Sequence, residues 1–176
     1  NSKLTKIQIK TKNENFQFYY PKARHHRVYN LMICLIIFKF NKLDTNIVID
    51  NCQSMPAVEG RGIEKSIFFH KKRILFIDES YNASPVTMLN SIDYFKKLQI
   101  NKKNNKFLIL GEMKELGKFS FKFHKILIER IIKHRLNKVI LSGAIYKKVL
   151  EKISIKKNQL IYLHDEMEIM NFLKHN

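Results

Sequence analysis

The stretch IDESYNASP, residues 77–85, places two carboxylates and an amide directly after an apolar run. Residues 73–77 are rich in β-forming side chains, which predicts a strand ending at this stretch. Ser84 and Pro85 predict the start of a helix, because Ser caps free backbone N–H groups and Pro needs no N–H at the first helical position. The stretch is therefore predicted to be a strand-to-helix junction with acidic and amide side chains in its turn.

The residues on both sides of this junction predict an α/β fold. Before it, residues 63–69 and 73–77 flank His70-Lys71-Lys72, which predicts a hairpin. After it, short apolar strands alternate with helices whose apolar residues recur at helical spacing. The strands are predicted at residues 107–110, 139–141 and 160–163, and the helices at residues 120–134, 144–153 and 166–174 in addition to the one opened by Pro85. Such alternation predicts parallel βαβ units, so this part is predicted to be Rossmann-like with a mostly parallel sheet.

The beginning of the chain has a less regular pattern. It contains extended segments at residues 3–9 and 16–20, a helix predicted at residues 28–40, and a polar stretch up to residue 56. The character changes at Gly60-Arg61-Gly62. The sequence therefore predicts two domains, residues 1–60 and residues 61–176.

The composition is that of a folded, strongly basic chain. Hydrophobic residues make up 45% and charged residues 27%, which excludes a disordered chain, and 33 Lys plus Arg against 15 Asp plus Glu give a net charge of +18. The basic residues are mostly Lys, spread along the whole chain together with abundant Ile, Asn and Phe. This favours a coding bias over a dedicated nucleic-acid surface, so no nucleic-acid partner is expected. The excess of positive charge also fits anionic substrates.

The cysteines, histidines and apolar runs exclude several other classes. Cys34 and Cys52 form no CxxC pair, so neither a disulfide framework nor a zinc site is indicated, and a reducing cytoplasm is expected. The histidines show no metal-ligand spacing, and no metal site is predicted within the chain. The longest apolar run, residues 31–38, is far shorter than the roughly 20 residues of a membrane span.

Two stretches lie where an open α/β sheet binds ligands, beyond the carboxyl ends of its strands. They are residues 77–85 and residues 111–117, and both are expected to follow strands of the parallel sheet. A carboxylate there can accept from ribose hydroxyls or hold Mg²⁺, although helix capping alone would select the same residue types. The second stretch is no Walker A loop, because five residues separate its glycines where that motif has four, and Phe119 follows Lys118.

A family resemblance favours a ligand-binding role for these two stretches over helix capping alone. GRG at 60–62, IDESYNASP at 77–85, LGEMKELG at 110–117 and His124 occur in the order and approximate spacing of the C-terminal half of the Mur ligases. The Ser-Tyr-Asn-Ala turn and the Met-x-Glu-Leu-Gly loop together resemble the branch that adds a D-alanyl-D-alanine dipeptide. Upstream, HRVYN at 26–30 resembles the start of a helix in the family's central ATP-binding domain.

The resemblance implies an enzyme of peptidoglycan precursor synthesis. The full enzyme would join D-alanyl-D-alanine to UDP-N-acetylmuramoyl-tripeptide through an acyl phosphate, using ATP and Mg²⁺, as a cytoplasmic monomer. Residues 1–60 would be the C-terminal part of the central ATP-binding domain, and residues 61–176 a C-terminal domain truncated at its end. The family's phosphate loop and main Mg²⁺ ligands have no counterpart in this sequence, so the chain alone is expected to be inactive.

The resemblance also implies roles for particular residues. The nucleotide-binding set is Asn30, Arg61, Asp78, Glu79, Tyr81 and Asn82. The loop near the incoming dipeptide contains Gly111, Glu112, Met113, Glu115, Leu116 and Gly117. Asn30 would face the adenine, and either Asp78 or Glu79 would contact the ribose. Arg61 would be the catalytic residue, because its guanidinium would reach the ATP phosphate and stabilise the charge that develops on phosphoryl oxygens.

Two alternative functions remain open from the sequence. Another Mur ligase or a folylpolyglutamate synthetase-like ligase would share the fold, although the Tyr-Asn-Ala turn and the Glu-Leu-Gly loop argue against it. A non-enzymatic, basic α/β module that binds nucleic acid would need Lys and Arg gathered on one face with aromatic side chains between them.

Overall fold

The computed structural model describes residues 4–10, 12, 15–21, 25–52, 58–99, 105–136, 138–153 and 160–176. The chain forms two compact units, residues 1–57 and residues 58–176. The assignment of these units to the two predicted domains stays a prediction. None of the described helices is long and apolar enough to cross a membrane.

The first unit combines a hairpin with two helices. Strands β1 (Leu4–Lys10) and β2 (Asn15–Pro21) pair antiparallel, and helix α1 (His25–Phe40) follows them. The two extended segments and the helix were predicted, but the pairing of the segments was not. Helix α2 (Asn46–Asn51) lies in the stretch predicted to be polar coil and was missed. The core of this unit consists of Ile7, Phe18, Leu31, Leu35, Val48 and Cys52. Both cysteines are free thiols.

The second unit opens with the predicted hairpin. Strands β3 (Ile63–Phe69) and β4 (Lys72–Asp78) pair antiparallel over their full lengths. The turn between them is the two residues His70 and Lys71, with φ of 45° and 65°, rather than the three residues that the sequence predicted. Two successive residues with positive φ match the twist of a hairpin, which explains why Lys72 is free to join β4.

A parallel sheet with helices makes up the rest of the second unit. Its strand order is β5-β6-β7, and every pairing is parallel. The strands are β5 (Leu108–Leu110), β6 (Val139–Leu141) and β7 (Leu160–Tyr162), and the helices are α3 (Pro85–Lys97), α4 (Ser120–Lys133), α5 (Ala144–Leu150) and α6 (Glu166–His175). All three residues of the central strand β6 are fully buried. The predicted Rossmann-like α/β class is confirmed.

One expectation about the sheet was wrong. We expected residues 77–85 to follow a strand of the parallel sheet, yet β4 pairs with β3, and within the described residues no ladder joins it to β5, β6 or β7. The two-residue turn brings β3 alongside β4, so β3 supplies the hydrogen-bond partners along one edge of β4, and among the described residues no strand of the parallel sheet pairs with the other edge.

The helices and the parallel sheet share one core. Its buried members are Ile92, Phe95, Leu110, Met113, Leu127, Ile128, Ile131, Leu136, Val139, Leu141, Tyr146 and Val149. They come from α3, α4, α5, two strands, the loop after β5 and the segment after α4. Because these elements are packed in one core, the strand and helix ends from which the loops begin are held in place.

Candidate functional site

The turn after β4 is shaped by its own acidic residue. One oxygen of Asp78, Oδ1, accepts from the Ser80 backbone N–H at 3.0 Å and from the Ser80 hydroxyl at 2.6 Å. The Ser80 side-chain bond, followed by its backbone bond, lowers the pKa of the Asp78 carboxyl. Asp78 is therefore a carboxylate at neutral pH, and it fixes the direction in which the chain leaves the strand.

Helix α3 begins as its sequence predicted. Ser84 has extended backbone angles, and its Oγ accepts from the Thr87 backbone N–H at 3.3 Å. The Thr87 hydroxyl accepts in return from the Ser84 N–H at 2.9 Å, which completes a capping box, and Pro85 occupies the first turn. Residues 79–83 are thus held between a fixed strand end and a fixed helix start.

The Gly60-Arg61-Gly62 segment lies directly against this turn. The Gly60 carbonyl accepts from the Tyr81 N–H at 3.1 Å, and the Gly62 N–H donates to the Asp78 carbonyl. A Cβ on Gly60 would lie 2.7 Å from the Tyr81 nitrogen, and its φ is +71°. Only glycine fits this backbone conformation and approach without strain. Two motifs that are about 20 residues apart in the sequence therefore form one structural unit.

Arg61 and Tyr81 form the exposed surface of this unit. The Arg61 guanidinium carbon lies 4.4 Å from the centroid of the Tyr81 ring, within the range of a cation–π contact. Both side chains are exposed. The contact holds a permanent positive charge beside the acidic turn, in a position that solvent or an anion can reach.

The remaining residues of the predicted nucleotide set occupy different places. Glu79 is half-buried and Asn82 is exposed in the same turn as Asp78. Asn30 is exposed on α1, and it is described with the first unit. Arg61, Asp78, Glu79, Tyr81 and Asn82 thus belong to one surface of the second unit. Their predicted roles toward a nucleotide stay predictions.

The second predicted loop, residues 111–117, is anchored in the core. Met113 is buried and Leu116 is half-buried, and both pack in the hydrophobic cluster of the second unit. Gly111, Glu115 and Gly117 are exposed. Two of the loop's side chains therefore hold it in place, and the exposed positions face solvent.

His124 on α4 secures this loop from beneath. Its Nε2 accepts from the Met113 backbone N–H at 2.9 Å, so Nδ1 carries the proton and donates to the Ser120 carbonyl at 2.7 Å. The ring is fully buried, and burial lowers its pKa against the smaller opposing effects of Ser120 and Glu112. His124 is therefore neutral at pH 7, with the tautomer that the Met113 bond requires.

Tyr146 on α5 fixes the other end of the loop. Its hydroxyl donates to the Gly111 carbonyl at 3.2 Å, and its ring meets the His124 ring edge-on with centroids 4.9 Å apart. Burial first, and the charge of Glu112 second, raise the pKa of the Tyr146 phenol far above its ordinary value. The hydroxyl therefore stays protonated and remains a donor.

Sequence reasoning missed part of this arrangement. His124 was noted as a motif residue without a role, and Tyr146 was not considered. No local signal identifies them, because the bonds of His124 and Tyr146 to the loop span 11 and 35 residues of sequence. Within the part of the chain that the structure describes, no group of three or more His, Cys, Asp or Glu is placed to hold a metal ion.

Comparison with curated proteins relates the whole arrangement to one group of enzymes. The chain is 31% identical over 154 residues to the UDP-N-acetylmuramoyl-tripeptide–D-alanyl-D-alanine ligase of Rickettsia prowazekii, covering 85% of this chain and 33% of that protein. It is 24% identical over 162 residues to the enzyme of the same name from Borreliella burgdorferi, covering 90% and 33%. The chain thus spans about one third of the length of the curated relatives it matches. No family model matches it.

Solved structures agree at the level of the fold. MurF from Acinetobacter baumannii superimposes with a TM-score of 0.78 at 20% identity, covering 98% of this chain and 35% of that one. MurF ligase from Thermotoga maritima, solved in complex with ADP, gives a TM-score of 0.63 at 20% identity, covering 96% and 42%. The solved structures thus support the fold, the curated relatives confirm the resemblance to the Mur ligases, and the nucleic-acid module is not favoured.

Proposed function

We propose that this chain is the C-terminal part of an ATP-dependent ligase that adds D-alanyl-D-alanine to UDP-N-acetylmuramoyl-tripeptide. The observation that carries the proposal is the contact between the Gly60-Arg61-Gly62 segment and the turn at residues 78–83. It consists of the Tyr81 N–H bond to Gly60 and of the Arg61 guanidinium on the Tyr81 ring. The similarity to the tripeptide ligases supports the proposal, because both motifs of this contact belong to the resemblance.

The side chains at this contact fit a nucleotide. A guanidinium presents a planar array of N–H donors that matches phosphate oxygens, and Arg61 is exposed. The Asp78 and Glu79 carboxylates are acceptors suited to ribose hydroxyls. ATP would supply the phosphoryl group that activates the peptide carboxylate. In this proposal Arg61 binds phosphate oxygens and offsets their charge, while the carboxylates orient the sugar.

The glycines beside Arg61 give it a defined starting position. Gly60 and Gly62 both have positive φ, at 71° and 81°. Gly60 is closely packed on Tyr81, so the backbone on one side of the arginine is fixed by contact as well as by conformation. The Arg61 guanidinium therefore extends from a fixed backbone segment to the solvent-facing side of the turn. Such placement favours phosphate binding over a merely solvated arginine.

Other parts of the proposal concern the larger protein. Mg²⁺ would accompany the ATP, with its main ligands contributed by segments that this chain does not contain. The protein would act in the cytoplasm as a monomer.

The proposal is tested by nucleotide binding to the chain itself. We expect ATP to perturb the amide NMR signals of residues 60–62 and 78–83. Arg61→Ala should weaken ATP binding about tenfold, because a charge-assisted contact to phosphate is lost, and should leave the weaker binding of adenosine unchanged. The measurement is a titration of the labelled chain with each ligand in turn.

Arg73→Ala is the matched control. Arg73 is also exposed and also carries one positive charge, but its Nε donates to Ser66 on the hairpin. We expect this variant to bind ATP like the unmodified chain. If both substitutions weakened ATP binding equally, the loss would reflect the net charge of the chain rather than a specific contact of Arg61. Unchanged ATP binding in Arg61→Ala would contradict the phosphate role of Arg61.

A further inference from the structure

One carboxylate in the second unit is supported from several sides. Glu112 is the second residue of the loop after β5, and it is half-buried. The residue before it, Gly111, has its carbonyl bonded to the Tyr146 hydroxyl. The residue after it, Met113, has its N–H bonded to His124 Nε2 and its own side chain in the core. The backbone of Glu112 is therefore fixed on both sides by side chains from two different helices.

The side chain of Glu112 is also located by a close contact. A Cβ added to Gly143 would lie 2.7 Å from Glu112 Oε2 and 2.8 Å from Glu112 Cβ, and Gly143 has φ of +124°. Any other residue at 143 would displace the carboxylate as well as strain the backbone. The Glu112 side chain therefore packs against the Gly143 backbone, in space that a side chain at position 143 would fill.

The electrostatic setting of Glu112 is distinctive in a chain with net charge +18. Its charge acts on the two buried rings beneath the loop, His124 and Tyr146. Within the described residues, none of the ion pairs or hydrogen bonds uses the Glu112 carboxylate. The two rings beneath it are neutral, so neither ring offers the carboxylate a balancing positive charge.

We propose that the Glu112 carboxylate binds the protonated amino group of the incoming dipeptide. The inference rests on the proposed function and adds to it the group that recognises the amine. An ammonium is the complement of a single fixed carboxylate, and their charge-assisted hydrogen bond is stronger than a bond between neutral groups. The loop emerges from the carboxyl end of β5 in the parallel sheet, where such folds bind their ligands.

The support around Glu112 explains why this residue is suited to the role. A flexible surface carboxylate would lose side-chain entropy when it orders around a ligand. Glu112 is ordered in advance by its two bonded neighbours and by Gly143. Preorganisation of this kind lowers the cost of binding, and it directs the amine toward one position.

The test compares two ligands that differ only at the amine. D-alanyl-D-alanine carries an ammonium, whereas N-acetyl-D-alanyl-D-alanine is neutral at that end. We expect the unmodified chain to bind the free dipeptide about tenfold more tightly, as followed by the amide signals of residues 111–117 during NMR titration. Glu112→Gln should bind both ligands with similar affinity. Glu151→Gln, which removes the same charge from an exposed position of the second unit outside the loop, should retain the tenfold preference.

Several results would overturn the inference. They are equal affinity of the unmodified chain for both ligands, a lack of binding of either one, and a retained preference in Glu112→Gln. A titration with MgCl₂ provides a further check, because a response of residue 112 to Mg²⁺ but not to the dipeptide would make the carboxylate a metal ligand instead. The ligand pair tests the unmodified chain, so the inference stays falsifiable even where a variant folds poorly. ATP binding is measured separately, and its failure counts against the proposed function alone.

Discussion

The two candidate loops of the second unit are held in opposite ways. The turn at residues 78–84 is secured at the surface, by the Asp78 bonds to Ser80, by the Ser84 capping box, and by Gly60 packed on Tyr81. The loop at residues 111–117 is secured from the interior, by buried His124 and Tyr146 bonded to its backbone. Both loops follow a strand and precede a helical segment. Their stabilities should therefore respond to different substitutions.

This contrast separates local from tertiary determinants of a site. The side-chain bonds within the first turn span two or three residues, and its longer ties are backbone bonds to Gly60 and Gly62. The side-chain bonds from His124 and Tyr146 to the second loop reach across 11 and 35 residues. A buried polar group that loses its partner costs more than an exposed one, because water cannot replace the partner. The interior loop should thus be the more sensitive of the two to removal of a single side chain.

Removal of the His124 ring is expected to have the largest effect. His124→Ala leaves the Met113 N–H buried without its acceptor and opens a cavity beside Tyr146. We expect the free energy of unfolding of the second unit to fall by about 3 kcal/mol. Urea denaturation followed by the amide signals of α4 and α5 measures the change.

His164→Ala is the control, because His164 is exposed and the same ring is removed. The unfolding free energy of this variant should barely differ from that of the unmodified chain.

The pH dependence of stability gives a second check on His124. Burial lowers the pKa of folded His124 below its ordinary value of 6.5, so the unfolded chain binds the proton more readily. Stability from this group is complete above pH 6.5 and is lost as the pH falls below it. His124→Ala should lack that decline, and an identical decline in both proteins would contradict a neutral, bonded His124.

The same contrast explains how much of the molecule could be predicted from the sequence. The start of α3 was predicted correctly from Ser84 and Pro85, because helix capping depends on residues that are neighbours in the sequence. The parallel pairing of β5, β6 and β7 was also predicted correctly, since alternating strands and helices leave few topologies. The hairpin of β3 and β4 was predicted correctly, but the expectation that residues 77–85 follow a strand of the parallel sheet was wrong, and the role of His124 was missed. Both depend on which distant groups meet in the folded chain, and a residue pattern does not record that.

Gly60→Ala tests the surface turn through its closest contact and should have the second largest effect. The new Cβ would lie 2.7 Å from the Tyr81 nitrogen, on a residue with φ of +71°. Because the obstructing atom is backbone, the turn itself must shift. We expect a loss of about 2 kcal/mol in the unfolding free energy, measured by urea denaturation.

Gly111→Ala is the matched control in the other loop. A Cβ at 111 would meet no heavy atom within 4 Å, and this glycine does not have a positive φ of the restricted kind. The variant should therefore be neutral or slightly more stable, because alanine reduces the freedom of the unfolded chain. Equal losses for both alanine variants would show that the contact between Gly60 and Tyr81 is not a constraint on the turn.

Ser84→Ala is expected to have the smallest effect on stability, and it tests most directly whether the two loops are held in different ways. It removes the capping acceptor of the Thr87 N–H, which water can reach, so the loss should be about 1 kcal/mol. Ser91→Ala is the matched control in the same helix, because its hydroxyl donates back to the Thr87 carbonyl and alanine is the better helix former; it should be neutral or stabilising. If Ser84→Ala cost as much as His124→Ala, the turn would owe its order to more than local capping, and the distinction between a surface-held and an interior-held loop would fail.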